Sequence, residues 1–360
     1  MGGSVVVVGL GFGDEGKGSV VDWLTREREA SLVVRFNGGA QAAHRVVDPN
    51  GREHVFHQYG SGTFAGADTY LSEYVLVNPL ALAEEAAALM DKNVSDPFGK
   101  MIVNENCAVT TPFHVALNRT REWKRGTQRH GSCGMGIAET MRDILAKRYI
   151  RFGDLLGAEQ RWIAKLRQHQ RRVGDEVLAL SKYESPHAKE VYDPVAFDET
   201  VDTFRIVARN VRVVKGLPLG VPTVFEGAQG ILLDQQHGCP PYHTWSRTTS
   251  ENALRILDGA TATVVGVTRA YMTRHGPGPF PTEALDVMVA SPDEGNETNE
   301  WQGRFRVGWP DPNLIRYAAK ADGYVDSIVV TCMDKLVPDP VPCPIPESLD
   351  RGDSPFSHEP

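Results

Sequence analysis

Ser4-Val-Val-Val-Val-Gly-Leu-Gly-Phe-Gly-Asp-Glu-Gly-Lys-Gly-Ser19 is the stretch whose reading decides the architecture of this chain. Four consecutive valines have no polar alternation, so they read as a strand buried on both faces, the habit of parallel sheets covered by helices. A glycine-rich turn follows at once. Small residues there let backbone N–H groups approach a phosphate while Lys17 supplies positive charge, which makes Gly13, Asp14, Glu15, Gly16, Lys17 and Gly18 a candidate P-loop-like phosphate-binding turn. The spacing from Gly11 to Lys17 fits GxxxxGK, but Gly18 stands where the usual loop carries a magnesium-binding Ser or Thr, and Asp14 is the candidate replacement ligand.

Further apolar runs at Ser31 to Phe36, Thr223 to Phe225, Thr263 to Val267 and Ser327 to Thr331 read as strands, each with polar or glycine-containing sequence close behind. Helices are expected over Pro79 to Met90 and Gly157 to Val173, and from a capped start at Thr248. The expectation is an α/β fold, a central, mostly parallel sheet flanked by helices, formed as one domain over 1–340. A proline- and acid-rich tail over 341–360 follows it.

The composition agrees. The 360 residues are 41% hydrophobic, enough for a large core, and the net charge of −8 argues against broad attraction to nucleic acid, so anionic substrates need focused sites. The five cysteines are scattered without metal-like spacing, as in a reducing compartment. The apolar run Val5 to Leu10 is too short for a signal peptide core or a membrane span, so a cytoplasmic location is expected, the host cytoplasm if the chain is phage-encoded.

Three more blocks follow the glycine turn in order: Gly38-Gly-Ala-Gln-Ala-Ala-His44, Phe225-Glu-Gly-Ala-Gln-Gly-Ile-Leu-Leu-Asp234 with His237-Gly238, and Thr273-Arg-His-Gly-Pro-Gly-Pro-Phe-Pro-Thr-Glu283. Together they resemble the adenylosuccinate synthetase family across roughly Val5 to Leu336, with a verbatim match over Gly13 to Gly18. The resemblance implies a ligase. In that family the γ-phosphoryl group of a nucleoside triphosphate passes to the 6-oxygen of a purine nucleoside monophosphate, and L-aspartate then displaces the phosphate.

Roles follow by resemblance, residue by residue. Asp14 is the base for the purine N1 proton and, with the backbone carbonyl of Ala43, a Mg²⁺ ligand; His44 is the acid at the transferring phosphate, helped by Lys17 and Gln229. Asp334 joins the phosphate loop in binding the triphosphate. Gln41, Ser132, Cys133, Lys147, Gln229, Thr244 and Arg247 are the monophosphate candidates, with Lys147 near the position from which the family reaches across a homodimer. Arg304 and Arg306 resemble the arginines that grip the carboxylates of aspartate, a task suited to a bidentate guanidinium.

The chain also departs from the family pattern. Gln41-Ala-Ala-His-Arg45 stands for Asn-Ala-Gly-His-Thr, Gly131-Ser-Cys-Gly-Met-Gly-Ile-Ala138 for Gly-Thr-Thr-Gly-Arg-Gly-Ile-Gly, and Thr331-Cys-Met-Asp334 for Thr-Lys-Leu-Asp. Trp245-Ser-Arg247 replaces small polar residues, and the chain stops without the Ser-Thr-Gly-Pro loop of larger members. These departures resemble the phage branch of 2-aminoadenylosuccinate synthetases, which take dGMP and can use ATP or dATP, although some of that branch lack the catalytic Asp that this chain keeps as Asp14. The alternative is an enzyme using IMP and GTP.

Overall fold

The computed structural model describes residues 3–182, 184–217, 220–284 and 301–335; the expected 341–360 tail lies outside them. In chain order the strands are β1 (Ser4–Gly9), β2 (Leu32–Arg35), β3 (His44–Val47), β4 (Glu53–Phe56), β5 (Asp68–Leu71), β6 (Leu76–Val77), β7 (Met101–Asn104), β8 (Ala108–Val109), β9 (Arg212–Val214), β10 (Thr223–Glu226), β11 (Ala262–Arg269), β12 (Met272–His275), β13 (Phe305–Gly308) and β14 (Ser327–Thr331). The helices are α1 (Lys17–Glu27), α2 (Pro79–Asp91), α3 (Pro112–Arg125), α4 (Ile137–Leu145), α5 (Glu159–Ser181), α6 (Ala188–Tyr192), α7 (Pro194–Asn210), α8 (Glu251–Leu257) and α9 (Pro312–Asp322).

An eight-stranded sheet in the order β14-β11-β1-β10-β2-β5-β7-β9 forms the centre, and each of its pairings is parallel. The four valines behave as a strand covered on both sides must. Val5 and Val7 pack with Val20, Val21 and Leu24 of α1, while Val6 and Val8 pack on the opposite face with Leu314 and Ala318 of α9. A third cluster joins α2, α3, α5 and α7 beyond β5 and β7.

The chain runs outward from β1 through β2, β5, β7 and β9, returns to insert β10 between β1 and β2, and only then builds β11 and β14 on the other side. That reversal opens a crevice at the carboxyl ends of β1 and β10, where open parallel sheets hold ligands.

Two expectations need correction. The helix expected over Gly157 to Val173 is α5, which begins at Glu159 and continues to Ser181; Gly174 does not break it because it makes room for Tyr192, whose Oη would lie 2.7 Å from a Cβ there. The start expected at Thr248 moves to Glu251, because Thr248 N and Ser250 N donate to Asp234 Oδ2 (2.5 Å) and Asp322 Oδ1 (2.7 Å), tying the approach into loop structure. The arginine-bearing segment is half of an antiparallel ribbon, β12 with β13, in which Arg274 faces Arg306.

Candidate active site

β1 ends in a tight turn that Glu15 organises from inside. Its Oε1 accepts from Gly11 N (3.0 Å) and Gly13 N (2.9 Å), and Oε2 lies 2.5 Å from Lys17 Nζ, all in buried or half-buried surroundings. An acceptor-only carboxylate facing inward braces the loop; what Glu15 offers a phosphate is its backbone. Gly16 adopts a left-handed conformation (φ 81°) and no side chain caps the start of α1, which leaves the helix N–H groups to an anion. Thr331 Oγ1 at the end of β14 donates to Glu15 O (2.6 Å), and Arg269 Nη1 from β11 to Asp14 O (3.1 Å), so two strands on the same side of β1 grip the turn.

Asp14 sits at the lip of this turn in a left-handed conformation (φ 58°) that Asp and Asn tolerate better than most side chains. Its carboxylate is 30% exposed and lies 3.2 Å from His275 Nε2. Burial pushes its acidity constant upward, but the hydrogen bond and charge of His275, with Lys17 and Arg269, hold Asp14 below the ordinary carboxylate range. The Asp14 carboxylate offers hard oxygen donors of the kind that suit Mg²⁺, and Ala43, the other expected ligand, is exposed immediately before His44.

Gly18 now has a physical reason. A Cβ there would lie 3.0 Å from His44 Cβ and from Arg45 O, so glycine lets the hairpin β3–β4 close on α1 and brings His44 to the phosphate turn. His44 Nδ1 is 2.5 Å from Glu226 Oε1 at the end of β10. Glu226 also accepts from Ser61 N (2.9 Å) and the Ser61 hydroxyl. Burial lowers the His44 constant despite Glu226, keeping the imidazole neutral; burial also raises the Glu226 constant, but the charge of Arg35 with the hydrogen bonds from His44 and Ser61 overcomes it and brings Glu226 down to about 2.

The turn after β10 presses on the phosphate loop, since a Cβ on Gly230 would meet Gly11 O at 2.1 Å. Gln229 takes a left-handed conformation there (φ 58°). A Cβ on Gly38 would lie 3.4 Å from Gln41 Nε2 and 3.6 Å from Gln229 Nε2, so two carboxamides converge on one point. Both amide atoms of Gln41 and the Oε1 of Gln229 are buried with no hydrogen-bond partner among the described residues. Leaving such groups unpaired costs about 1–3 kcal/mol each, so their placement fits a polar ligand edge.

The other expected contacts surround that point unevenly. Gly131 abuts Pro277, and Ile137 abuts Gly39, so the loop bearing Ser132 and Cys133 spans from one block to the other. Cys133 packs against the small cluster of Leu76, Ala108 and Ile137, and burial raises its thiol to about 11, so it is a neutral group. Thr244 N donates to Leu233 O (2.8 Å), and Arg247 pairs with Glu251 (2.8 Å). Lys147 is exposed just after α4, and Asp334 is exposed beyond β14.

A cleft of about 360 Å³ lined by Gly276, Pro277, Gly278, Gln302, Gly303, Arg304 and Arg306 adjoins the site. The two arginines differ. Arg306 is 14% exposed and donates to Gly276 O (3.0 Å) and Gly278 O (2.8 Å), whereas Arg304 is 66% exposed and meets Glu283 at 3.1 Å.

A family model described as adenylosuccinate synthetase matches residues 6–339. The chain belongs to the adenylosuccinate synthetase family. Adenylosuccinate synthetases of Marinomonas sp. and Methylococcus capsulatus are each 36% identical to it, over 348 residues (93% of this chain and 77% of that protein) and 351 residues (92% and 77%) respectively. The fold is shared with the fully ligated adenylosuccinate synthetase from Plasmodium falciparum (TM-score 0.72, 23% identity, 91% of this chain and 76% of that one). It is also shared with the succinoaminodeoxyadenylate synthetase of cyanophage S-2L bound to dGMP and dATP (TM-score 0.60, 19% identity, 91% and 84%).

As a family member the chain is a carbon–nitrogen ligase of purine nucleotide biosynthesis. No helix among the described residues is long and apolar enough to cross a membrane. Three residues of the adenylosuccinate synthetase site escaped the sequence reading: Glu226 and His275 lay inside quoted blocks without a role, and Ser61 lay outside them. A histidine next to an assigned acid or base was the available signal; what hid it was distance along the chain.

Proposed function

We propose that this ligase activates the 6-oxygen of a purine nucleoside monophosphate and then substitutes it with L-aspartate. Asp14 takes the N1 proton, O6 attacks the γ-phosphorus of the triphosphate, and the nucleoside diphosphate leaves. The aspartate amine then attacks C6, and the C6–O bond breaks with inorganic phosphate departing. Lys17 and His44 balance charge on the transferring group, Gln41 and Gln229 orient the purine monophosphate, and Arg304 with Arg306 take the aspartate carboxylates. Mg²⁺, held by Asp14 and the Ala43 carbonyl, supplies additional neutralisation of phosphate charge when bound.

The observation that carries this reading is the convergence of an ionised Asp14, Lys17 and the His44–Glu226 pair at the carboxyl ends of β1 and β10, beside two unpartnered carboxamides. Ser132, Thr244 and Arg247 surround the monophosphate in this reading. Lys147 serves a second copy of the chain in a homodimer, and Asp334 stands at the triphosphate base.

For the acceptor we put dGMP first, with ATP or dATP as donor. Buried acceptors at Gln41 Oε1 and Gln229 Oε1 suit a base bearing a 2-amino group, and Cys332 replaces the lysine of the usual guanine-reading segment. IMP with GTP is the second reading, favoured by the 36% identical bacterial relatives. Phosphate release is to be measured with IMP or dGMP, with GTP or ATP, and with or without aspartate. Aspartate-dependent release with dGMP supports the first reading, the same with IMP alone replaces it by the second, and release indifferent to aspartate refutes the ligase mechanism.

A further inference from the structure

We infer that Asn118, on the inner face of α3, is a positioning residue that fixes the Ser132 hydroxyl as a hydrogen-bond donor to the anionic group of the substrate nucleotide. The inference rests on the reading that the loop beginning at Gly131 receives the monophosphate. Asn118 is 4% exposed, and its two amide atoms reach different ends of that loop: Nδ2 is 3.0 Å from Ser132 Oγ, and Oδ1 is 3.1 Å from Gly136 N.

The orientation of the amide is dictated by the backbone. Gly136 N–H can only donate, so the Asn118 atom facing it must be the oxygen, and the atom facing Ser132 must be the NH₂ group. Ser132 Oγ therefore accepts. It is also 3.4 Å from Gly134 N, a second donor, so both lone pairs of the hydroxyl face protein N–H groups. The hydroxyl proton has to point away from both donors, and a hydroxyl polarised in this way suits an anionic phosphate oxygen.

The same bond closes the loop geometrically. Gly134 and Gly136 are in left-handed conformations (φ 69° and 79°), and a Cβ on Gly136 would lie 2.9 Å from the His114 backbone, so α3 carries the whole turn against itself. Replacing Asn118 with aspartate keeps an acceptor for Gly136 N–H but turns the atom facing Ser132 into a second acceptor. The serine proton would then swing inward to the carboxylate, and a negative charge would stand behind the phosphate position.

The test is a double-mutant cycle on the full-length enzyme with Ser132→Ala, Asn118→Asp and the two combined, reading KM for the monophosphate, KM for aspartate, kcat and Tm. Ser132→Ala should raise the monophosphate KM about tenfold, and Asn118→Asp by at least as much, with kcat and the aspartate KM within about twofold. The double variant should be no worse than Asn118→Asp alone, because that substitution has already removed the donor. Should Asn118→Asp not fold, Asn118→Leu takes its place in the same cycle. A Ser132→Ala enzyme with unchanged monophosphate KM overturns the inference together with the assignment of the loop. A clear Ser132→Ala effect accompanied by no Asn118 effect, or by effects that multiply, overturns the inference alone.

Discussion

His44 Nδ1 and Glu226 Oε1 lie 2.5 Å apart in a buried pair, and the pair sets which ring nitrogen is left for chemistry. A carboxylate accepts, so Nδ1 carries the proton and Nε2 faces outward with a lone pair. As negative charge gathers on a transferring phosphate, Nε2 can hold a proton while Glu226 stabilises the resulting imidazolium. Ser61 N–H and hydroxyl, donating to the same carboxylate, prevent Glu226 from turning away.

Glu226→Gln tests that role with little change of shape. The amide can still accept from His44, but it loses the negative charge and one acceptor for Ser61. Turnover should fall by about 10–100-fold, the scale on which losing the partner that orients a functional histidine is felt. Substrate KM values should change little. Steady-state kinetics with circular dichroism would check it, and wild-type turnover in a folded Glu226→Gln protein would show that His44 needs no partner.

For Asp14, asparagine is a better probe than alanine because the left-handed backbone (φ 58°) tolerates Asn, leaving charge as the main variable. Loss of the base should lower kcat by roughly 10²–10⁴-fold without lowering Tm appreciably. The acid limb gives a second reading. Burial raises the Asp14 constant, but His275, Lys17 and Arg269 lower it by more, so its carboxylate stays ionised and activity should not fall on its account until the pH drops below the ordinary aspartate value of 3.8. An acid limb centred near neutrality that disappears in Asp14→Asn would contradict this placement.

How far the sequence was legible depended on whether a residue's partner was near it in the chain. Val5 to Val8 announced the buried parallel strand because both of their faces are apolar contacts. β5, β7 and β9 were missed because their apolar stretches are only two or three residues long, bounded by Asp68, Thr69, Asn104 and Arg212, which pair or bond only after folding. Gly18 was read as a missing hydroxyl; its purpose, room for His44, exists only once β3 packs on α1. The Asp14–His275 contact joins the turn after β1 to the end of β12, far away in the chain, and no local spacing encodes it.

The unequal settings of the two arginines predict unequal consequences. Arg304→Ala should raise the aspartate KM about tenfold with Tm unchanged, because an exposed guanidinium paired with Glu283 contributes little to the fold. Arg306→Ala removes donors to two backbone carbonyls, so it should also lower Tm by several degrees and blunt kcat as the Gly276 turn loosens. Melting curves beside aspartate titrations separate the two, and a destabilised Arg304→Ala with a stable Arg306→Ala would reverse the assignment.

The last prediction concerns stability away from the site, where α3, α4 and α5 meet over His114, Asp143 and His169. Their ligand-type atoms cluster closely, yet His114 Nδ1 accepts from Thr111 N (3.0 Å), so its proton sits on Nε2 and points at Asp143 Oδ2 (3.1 Å). That tautomer opposes a metal at Nε2, and Arg172 occupies the open side, bonded to both Asp143 and His169. Burial, with the charge of His169, lowers the His114 constant from 6.5 to about 3. The folded protein thus binds fewer protons than the unfolded chain between those values, so the stability from neutral His114 is complete above pH 6.5 and drains away as the pH falls toward 3. His169, lowered by the same burial, acts in the same direction. Wild-type Tm should therefore fall between pH 7 and pH 5 more steeply than that of His114→Gln, which starts lower but has one fewer group to titrate. Parallel Tm profiles for the two proteins across that range would mean that His114 carries its charge in the folded state.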